Sequence, residues 1–546
     1  MLVVAVLPSL LLPPKRGPIR PDSLSVSDTV TPPARPESEA IPVRPSPAAP
    51  TISTPVSDTT PGSERRVVVT SPRYRFEFSS HGARLVSAQL QAYRSFAPNE
   101  TGPAQLIPDD SRFLTYKLLF GSDTVSLENW IFEPSDTLLT VDDGEAELHW
   151  VARNGPMEVQ LTQKFKPTEY LFDVAGSFSG GPASAGLVLV TLGPRLRLVE
   201  ADSVWDYRNY AVVTKANSPE RTKFGSLTDG VPRPFSGPFE WVALKSRYFV
   251  SSVLTIRDGQ PRIGGAVATG GPKSGKFATT ATVAVSLPAP GGRFAHQVYI
   301  GPQEFRDLAR VGHDLSEVNP YGWIFRPIIR PVANFIVRIL LWSHENFDLQ
   351  YGWVLILFGV AVRIVLWPLN QKAMRSSMAM QAIQPEIKAL QERHKQEPQR
   401  LQQETMRLYK HHGVNPLGGC LPMLLPMPVL FALFFVFRET IEFRGVPFLW
   451  LPDLSRADPL YIIPVVMGIS MFVVSKIGQM GVPPNPQSKM MLYFMPVMMT
   501  VLFLKFSSGL NLYYAVSNIT SVPQQWMIAK ERMGRSGKLA GKKPGS

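Results

Sequence analysis

A single cysteine, Cys420, stands in 546 residues. One thiol forms no internal disulfide and builds no multi-cysteine zinc or iron–sulfur site. Charge is scarce as well. Asp, Glu, Lys and Arg make up 18% of the chain, against roughly 25% in ordinary soluble domains. The shortfall sits in the C-terminal third, where five apolar runs (351–369, 417–438, 459–475, 490–505 and 510–529) contain no Asp or Glu. Ion- and proton-coupled transporters pair intramembrane cations with carboxylates or run relays of them, so that absence weighs against a transporter. A nucleophile elbow, a phosphate loop and a His/acid metal spacing are also missing. The expectation is a protein that is not an enzyme, with no catalytic residue, no cofactor and no metal.

What is present is cationic and unevenly distributed. The net charge is +13, from 56 Lys and Arg against 43 Asp and Glu, which favours anionic lipid or nucleic acid as a neighbour. Thirteen prolines crowd residues 13–62. Such a stretch buries no core, and 13–64 reads as a disordered tether. Residues 1–12 are apolar but interrupted by Pro8, and a span needs about 20 residues. They read as part of a first span that starts upstream of Met1, or as a signal remnant.

Over 65–315 the pattern has period two. Tyr74, Phe76 and Phe78 alternate with Arg75, Glu77 and Ser79, and Val159, Leu161 and Phe165 continue the theme. That is a large all-β sandwich. Arg326, Arg330, Asn334 and Arg338 then recur every fourth residue in an apolar background, predicting an interfacial amphipathic helix over 321–344. The five runs follow as spans, with a polar helical hairpin over 371–416 and a basic tail over 530–546. The hairpin carries eight Lys/Arg against four Glu, and the tail carries six against one. The positive-inside rule puts both in the cytoplasm and the β domain outside, in the periplasm. The Pro-rich tether implies that this domain is loosely coupled. The predicted fold class is thus a multidomain chain: an all-β sandwich followed by an α-helical polytopic membrane bundle with a cytoplasmic hairpin.

Within the bundle, Arg363 lies inside the apolar sequence GVAVRIVLWPL. An intramembrane Arg costs about 2.5–3.5 kcal/mol on insertion scales and usually faces a wet cavity, the alternative being snorkelling to headgroups. The last span is polar along one side: Tyr513 and Ser517 share a face, and Tyr514 and Asn518 the next one. Sixteen of the 18 methionines lie beyond residue 370, which suits a surface that accepts varied apolar partners, or ordinary gap-filling.

The stretches RIVLWPLNQKAMRSSMAMQAIQPEIKALQER, LYKHHGVNPLGGCLPMLLPMPVLFALF and SSGLNLYYAVSNITSVPQQ resemble the YidC/Oxa/Alb family of membrane protein insertases. The segment opening RYRFEFSSHGARLVSAQL and closing YIGPQEFRDLARVGHDL resembles that family's Gram-negative periplasmic domain, a mutarotase-like supersandwich. The resemblance implies a hydrophilic groove open to cytoplasm and lipid, with Arg363 as its single Arg. It implies substrate contact along Met427, Pro428 and Phe431 of the third span and around Tyr513, Tyr514, Ser517 and Asn518 of the last. The partners it implies are nascent membrane proteins, the Sec translocon (SecYEG), the ribosome through the tail and hairpin, and membrane lipids. The location it implies is the bacterial inner membrane. Three positions depart from the pattern: Gly359 replaces a common Thr, Pro426 a common Gln, and Phe506-Ser507-Ser508-Gly509-Leu510 replaces a Phe-Pro-x-Gly-Leu turn. Two polar groove groups are thus missing, which implies a more apolar groove. The competing readings are a transporter or channel, and a membrane-anchored periplasmic carbohydrate-binding protein.

Overall fold

The computed structural model describes residues 64–181, 185–256, 262–274, 277–319, 325–414, 427–481 and 486–540. The expected partial first span, the tether up to residue 63, Cys420 and Pro426 lie outside the described residues.

The period-two pattern becomes strands because alternate side chains leave opposite faces of a pleated chain. Strand Tyr74–Ser79 buries Tyr74, Phe76 and Phe78 and exposes Arg75. Strand Ala281–Pro288 alternates buried and half-buried positions along its whole length. The strands build a five-stranded, a six-stranded and a nine-stranded sheet. The nine-stranded sheet is antiparallel throughout, with Arg293–Pro302 central between Phe249–Leu254 and Leu171–Ser179. Both smaller sheets pack on it. Phe78 of the five-stranded sheet meets Phe165 at 5.9 Å and Trp150 at 6.5 Å. Tyr116 of the six-stranded sheet meets Phe294 at 5.9 Å and His296 at 6.0 Å. Edge-on and tilted rings at these spacings add to burial in a sandwich core. His296 is wholly enclosed, and burial pushes its imidazole down to about 3, so it is a neutral core residue.

The helical part comprises α1 (Ser203–Tyr207) and α2 (Phe305–Val311) within or just after the β domain, then α3 (Arg326–Phe347), α4 (Tyr351–Val365), α5 (Trp367–Ala382), α6 (Gln384–Arg393), α7 (Pro398–His411), α8 (Met427–Glu439), α9 (Ile462–Gly478), α10 (Pro486–Phe503) and α11 (Ser508–Ala540). Four of these differ from the sequence expectation. The run 351–369 is not one helix: it breaks at Leu366, because Pro368 supplies no amide hydrogen and its ring displaces the carbonyl a turn earlier. The first arm of the hairpin is likewise split at Ile383, ahead of Pro385. The last helix does not end at 529, since α11 runs on to Ala540. And the cationic stripe of α3 does not simply face headgroups. Arg326 bonds Glu317 at 3.0 Å, Arg330 pairs with the same carboxylate, and Arg338 lies 5.7 Å from the Phe305 ring.

No single described helix is both long and apolar enough to cross a membrane; α4 with α5 and α6 passes only as a pair bent by 53°. The outer surface of the bundle is nevertheless apolar. Ile364, Ile469, Phe494, Val497 and Val501 are each more than half exposed. A band of that kind is costly in water and suits hydrocarbon.

The β domain is not loosely coupled to the bundle. Ile441, just beyond α8, completes the β-domain core. Glu439 meets Lys245 at 3.3 Å and Arg221 at 3.7 Å, all three buried or nearly so. Arg444 bonds Glu200 at 2.7 Å and the Val199 carbonyl at 3.2 Å, its guanidinium 4.3 Å from the Phe96 ring. Glu442 accepts the Phe305 amide at 3.0 Å. Burial pushes this carboxyl up to about 7, with Glu304 and Asp307 adding to the rise. A carboxyl raised on folding stabilises most below its unfolded value near 4.5, and the contribution is lost as pH rises through about 7. Glu442 therefore lowers the stability of the detergent-solubilised protein between pH 5.5 and pH 8, and Asp206, also pushed to about 7 by burial, acts in the same sense. His296, held down to about 3, and Lys245, pushed down by burial to about 7, act in the opposite sense over the same window. Glu442→Gln should therefore raise the stability at pH 8 relative to that at pH 5.5 by on the order of 2 kcal/mol against the wild type. A pH dependence unchanged in Glu442→Gln would assign that contribution elsewhere.

Candidate functional site

The site grows from one helix pair. On α4 the inward positions are Gly352, Val354, Leu355, Phe358 and Gly359. A Cβ at residue 359 would stand 3.3 Å from Val516 Cγ1 and 3.4 Å from Tyr513 Cδ2. Gly359 is therefore where α4 comes close to α11, and its want of a side chain serves packing. Arg363 follows one turn later on the same face and is half-buried. Asn370, two turns beyond it and 5% exposed, stands at the bend into α5. With its carboxamide oxygen turned to the guanidinium, Asn370 accepts from Nη1 and Nη2 at 3.2 Å each. The Nε of Arg363 is buried without a partner. Among the described residues no carboxylate lies within ion-pair reach of Arg363, and Tyr513 is the titratable side chain that acts on it. Gln524, 1% exposed, donates to the Trp367 carbonyl at 3.0 Å and ties α11 to the same bend.

The eight residues singled out from the sequence divide in three. Arg363 and Tyr513 come together, and Ser517 stands one turn beyond Tyr513 on the same face of α11. Tyr514 and Asn518 turn to other helices: Tyr514 sets its ring edge-on to Phe503 of α10 at 5.3 Å, and Asn518 donates to Ser470 Oγ of α9 at 3.2 Å. Met427, Pro428 and Phe431 are half-buried in the first turns of α8, a helix that packs chiefly on α3. Asn370 and Gln524 are not among those eight, although Gln524 belongs to the polar side of the last helix. For Gln524 the signal was spacing, eleven residues after Tyr513 and so close to three whole turns along one helix.

A neutral amide and a phenol around a lone cation hold charge without discharging it. The arrangement offers a polar, cationic spot inside an apolar bundle and no nucleophile–base pair. The family models agree with this division of the chain. That of the YidC periplasmic domain matches residues 66–341, and that of the 60Kd inner membrane protein matches residues 342–535. The chain belongs to the YidC family. The membrane protein insertase YidC of Nitratidesulfovibrio vulgaris (strain DP4) is 31% identical over 501 residues, covering 89% of this chain and 90% of that one. The YidC of Chlorobaculum tepidum is 29% identical over 497 residues, covering 85% and 82%. A YidC insertase crystal structure with its first transmembrane domain resolved aligns over 85% of this chain and 93% of its own, at 19% identity and a TM-score of 0.34. The two family models follow one another in the order of the β sandwich and the helical part, and Arg363 falls within the matched 60Kd segment.

Proposed function

We propose that this chain is a membrane protein insertase and chaperone that moves nascent transmembrane segments into the inner membrane, alone or with the Sec translocon. The observation that carries the reading is Arg363, charged and half-buried, with only neutral polar partners among the described residues. A nascent segment must drag its polar flank through hydrocarbon, where each unsatisfied polar group costs several kcal/mol. A hydrated cationic groove shortens that path and attracts acidic flanks. Burial of roughly 20 apolar residues then favours the inserted state, so no nucleotide, cofactor or catalytic step is needed. On this reading Met427, Pro428, Phe431, Tyr513 and Ser517 line the substrate path with Arg363, while Tyr514 and Asn518 serve it by holding α10 and α9 against α11.

The proposed orientation is multi-pass, with the β domain in the periplasm and the C-terminus in the cytoplasm. It rests on the Lys/Arg excess of the hairpin and of the last segment. The ribosome is the partner proposed for those cations, since rRNA phosphates bind such runs and release them in salt. Arg532 is excluded from that role: it donates to the Gly478 and Met480 carbonyls at 2.8 and 3.2 Å and so clasps the C-terminal end of α9 to α11. The test of function is a cell whose only insertase is this chain. Depletion should empty the membrane fraction of small proteins with short translocated flanks, and a membrane proteome unchanged on depletion would refute the reading.

A further inference from the structure

A cavity of about 690 Å³, which Arg363 does not line, lies between α1 of the β domain and the ends of α8, α9, α10 and α11. That volume is within the ~300–1,000 Å³ usual for small-molecule sites. Its lining is cationic: Arg208, Arg247, Arg438, Arg456 and Lys505 all contribute. Its two carboxylates are occupied by the fold. Asp202 accepts the Trp205 amide at 3.1 Å and caps α1. Asp458 accepts the Trp450 indole at 3.2 Å and the Leu460 and Ile463 amides at 3.0 and 2.8 Å. Arg247 is spent on backbone carbonyls, those of Arg438 at 3.1 Å and Ser455 at 3.3 Å, which hold it in place without neutralising it. Among the described residues no carboxylate oxygen lies within 4 Å of the side-chain nitrogens of Arg247, Arg456 or Lys505, although Asp206 accepts the Arg247 backbone amide at 3.0 Å; the Arg456 and Lys505 side chains are exposed.

The remaining wall is apolar and aromatic, with Trp205, Phe434, Phe437, Tyr461 and Phe506. Beside it Leu449, Leu460 and Tyr461 are each more than half exposed. Cations at the rim, rings at headgroup level and an exposed apolar shoulder together match an anionic amphiphile lying at a membrane boundary. A free anion would use the cations and leave the shoulder idle.

We propose that this cavity is a binding site for the phosphodiester headgroup of an anionic phospholipid, such as phosphatidylglycerol, seated where the β domain meets the bundle. On the orientation proposed above it faces the outer leaflet. The headgroup phosphate accepts from Arg456 and Lys505 at the rim, with Arg438 further in, held by Asn209 at 3.3 Å and Glu439 at 3.7 Å, adding to the field, and the acyl chains pass over Leu460 and Tyr461. The bound lipid bridges α1 to the turn at Lys505, so it fastens the β domain to the membrane.

The test is equilibrium binding of phosphatidylglycerol and phosphatidylcholine to the full chain in detergent, read by native mass spectrometry, an assay blind to orientation. The wild type should retain one phosphatidylglycerol in preference to phosphatidylcholine. Arg456→Gln with Lys505→Gln should weaken that retention by about tenfold or more, since each cation near a lipid surface contributes about 1 kcal/mol. Lys388→Gln with Lys410→Gln, the same charge loss on the exposed hairpin, should leave it unchanged. Equal retention by wild type and the Arg456/Lys505 variant would overturn the site. Displacement of the lipid by millimolar inorganic phosphate would show that a free anion is the ligand and overturn the lipid assignment. So would slower insertion of an Asp-flanked reporter by that variant in pure phosphatidylcholine vesicles, which would give the cavity to the substrate.

Discussion

Arg363→Ala should insert an Asp-flanked reporter about tenfold more slowly than the wild type, at matched protein levels in cells with no other insertase. The magnitude follows from charge. Two unit charges 4 Å apart interact by about 4 kcal/mol at an effective dielectric near 20. A hydrated groove recovers a fraction of that, and 1.4 kcal/mol is already a factor of ten in rate. Arg363→Lys should keep much of the activity, because attraction to an acidic flank and hydration of the groove both need a cation. What it loses is the double contact to Asn370. Asn370→Ala is the complementary probe. It leaves the charge and removes the group that orients it, so the effect should be smaller, about two- to threefold, and similar for Asp- and Asn-flanked reporters. A reporter apolar throughout should depend little on any of the three. Protease accessibility of the translocated flank reads all of these. Equal insertion of the Asp-flanked reporter by wild type and Arg363→Ala would return Arg363 to the role of a cation that merely reaches for headgroups.

The sequence shows Arg363 and the polar side of the last helix because both violate an apolar background, and violations are visible one residue at a time. The sandwich is visible for a related reason: alternation is local. Which strand pairs with which is not, and the pairing of Arg66–Thr70 with Leu138–Thr140 joins segments some 70 residues apart. The misread positions share one cause, that a residue's partner lies elsewhere in the chain. Arg326 and Arg330 form a stripe that would suit lipid, yet Glu317 occupies them. Arg532 reads as one more tail charge until α9 brings its C-terminal carbonyls alongside. Gly359 reads as a missing polar group until Val516 and Tyr513 fill the space next to it. Asn370 follows a Pro at the end of an apolar run and so looks like a boundary residue. Only the bend at Leu366 turns it back towards Arg363.

The second large effect concerns the contact that the sequence reading took to be loose. Lys245 is fully buried, with Asn319 and Glu439 as its partners. Burial alone would raise the Glu439 carboxyl, but Lys245, Arg221 and Arg438 outweigh it and hold the group at about 2. Lys245→Met should therefore cost about 2–3 kcal/mol, below the 3–5 kcal/mol of a buried pair broken outright, because two guanidinium groups remain 3.7 Å away. Lys245→Met combined with Glu439→Leu should recover only part of it, since the apolar pair carries no desolvation penalty but Arg221 and Arg438 lose their carboxylate partner. Deleting residues 65–310 should also cost less than the single substitution. Glu439 and Arg444 then meet water in place of a dry interface, and the Arg363 site, which lies wholly beyond Tyr351, keeps its helices. Thermal unfolding of the four proteins in one detergent, alongside insertion of a small phage-coat-like substrate, orders them. If the double variant proved no more stable than Lys245→Met, the lysine would be holding the interface by its packing and its bond to Asn319, and the charge on Glu439 would be incidental.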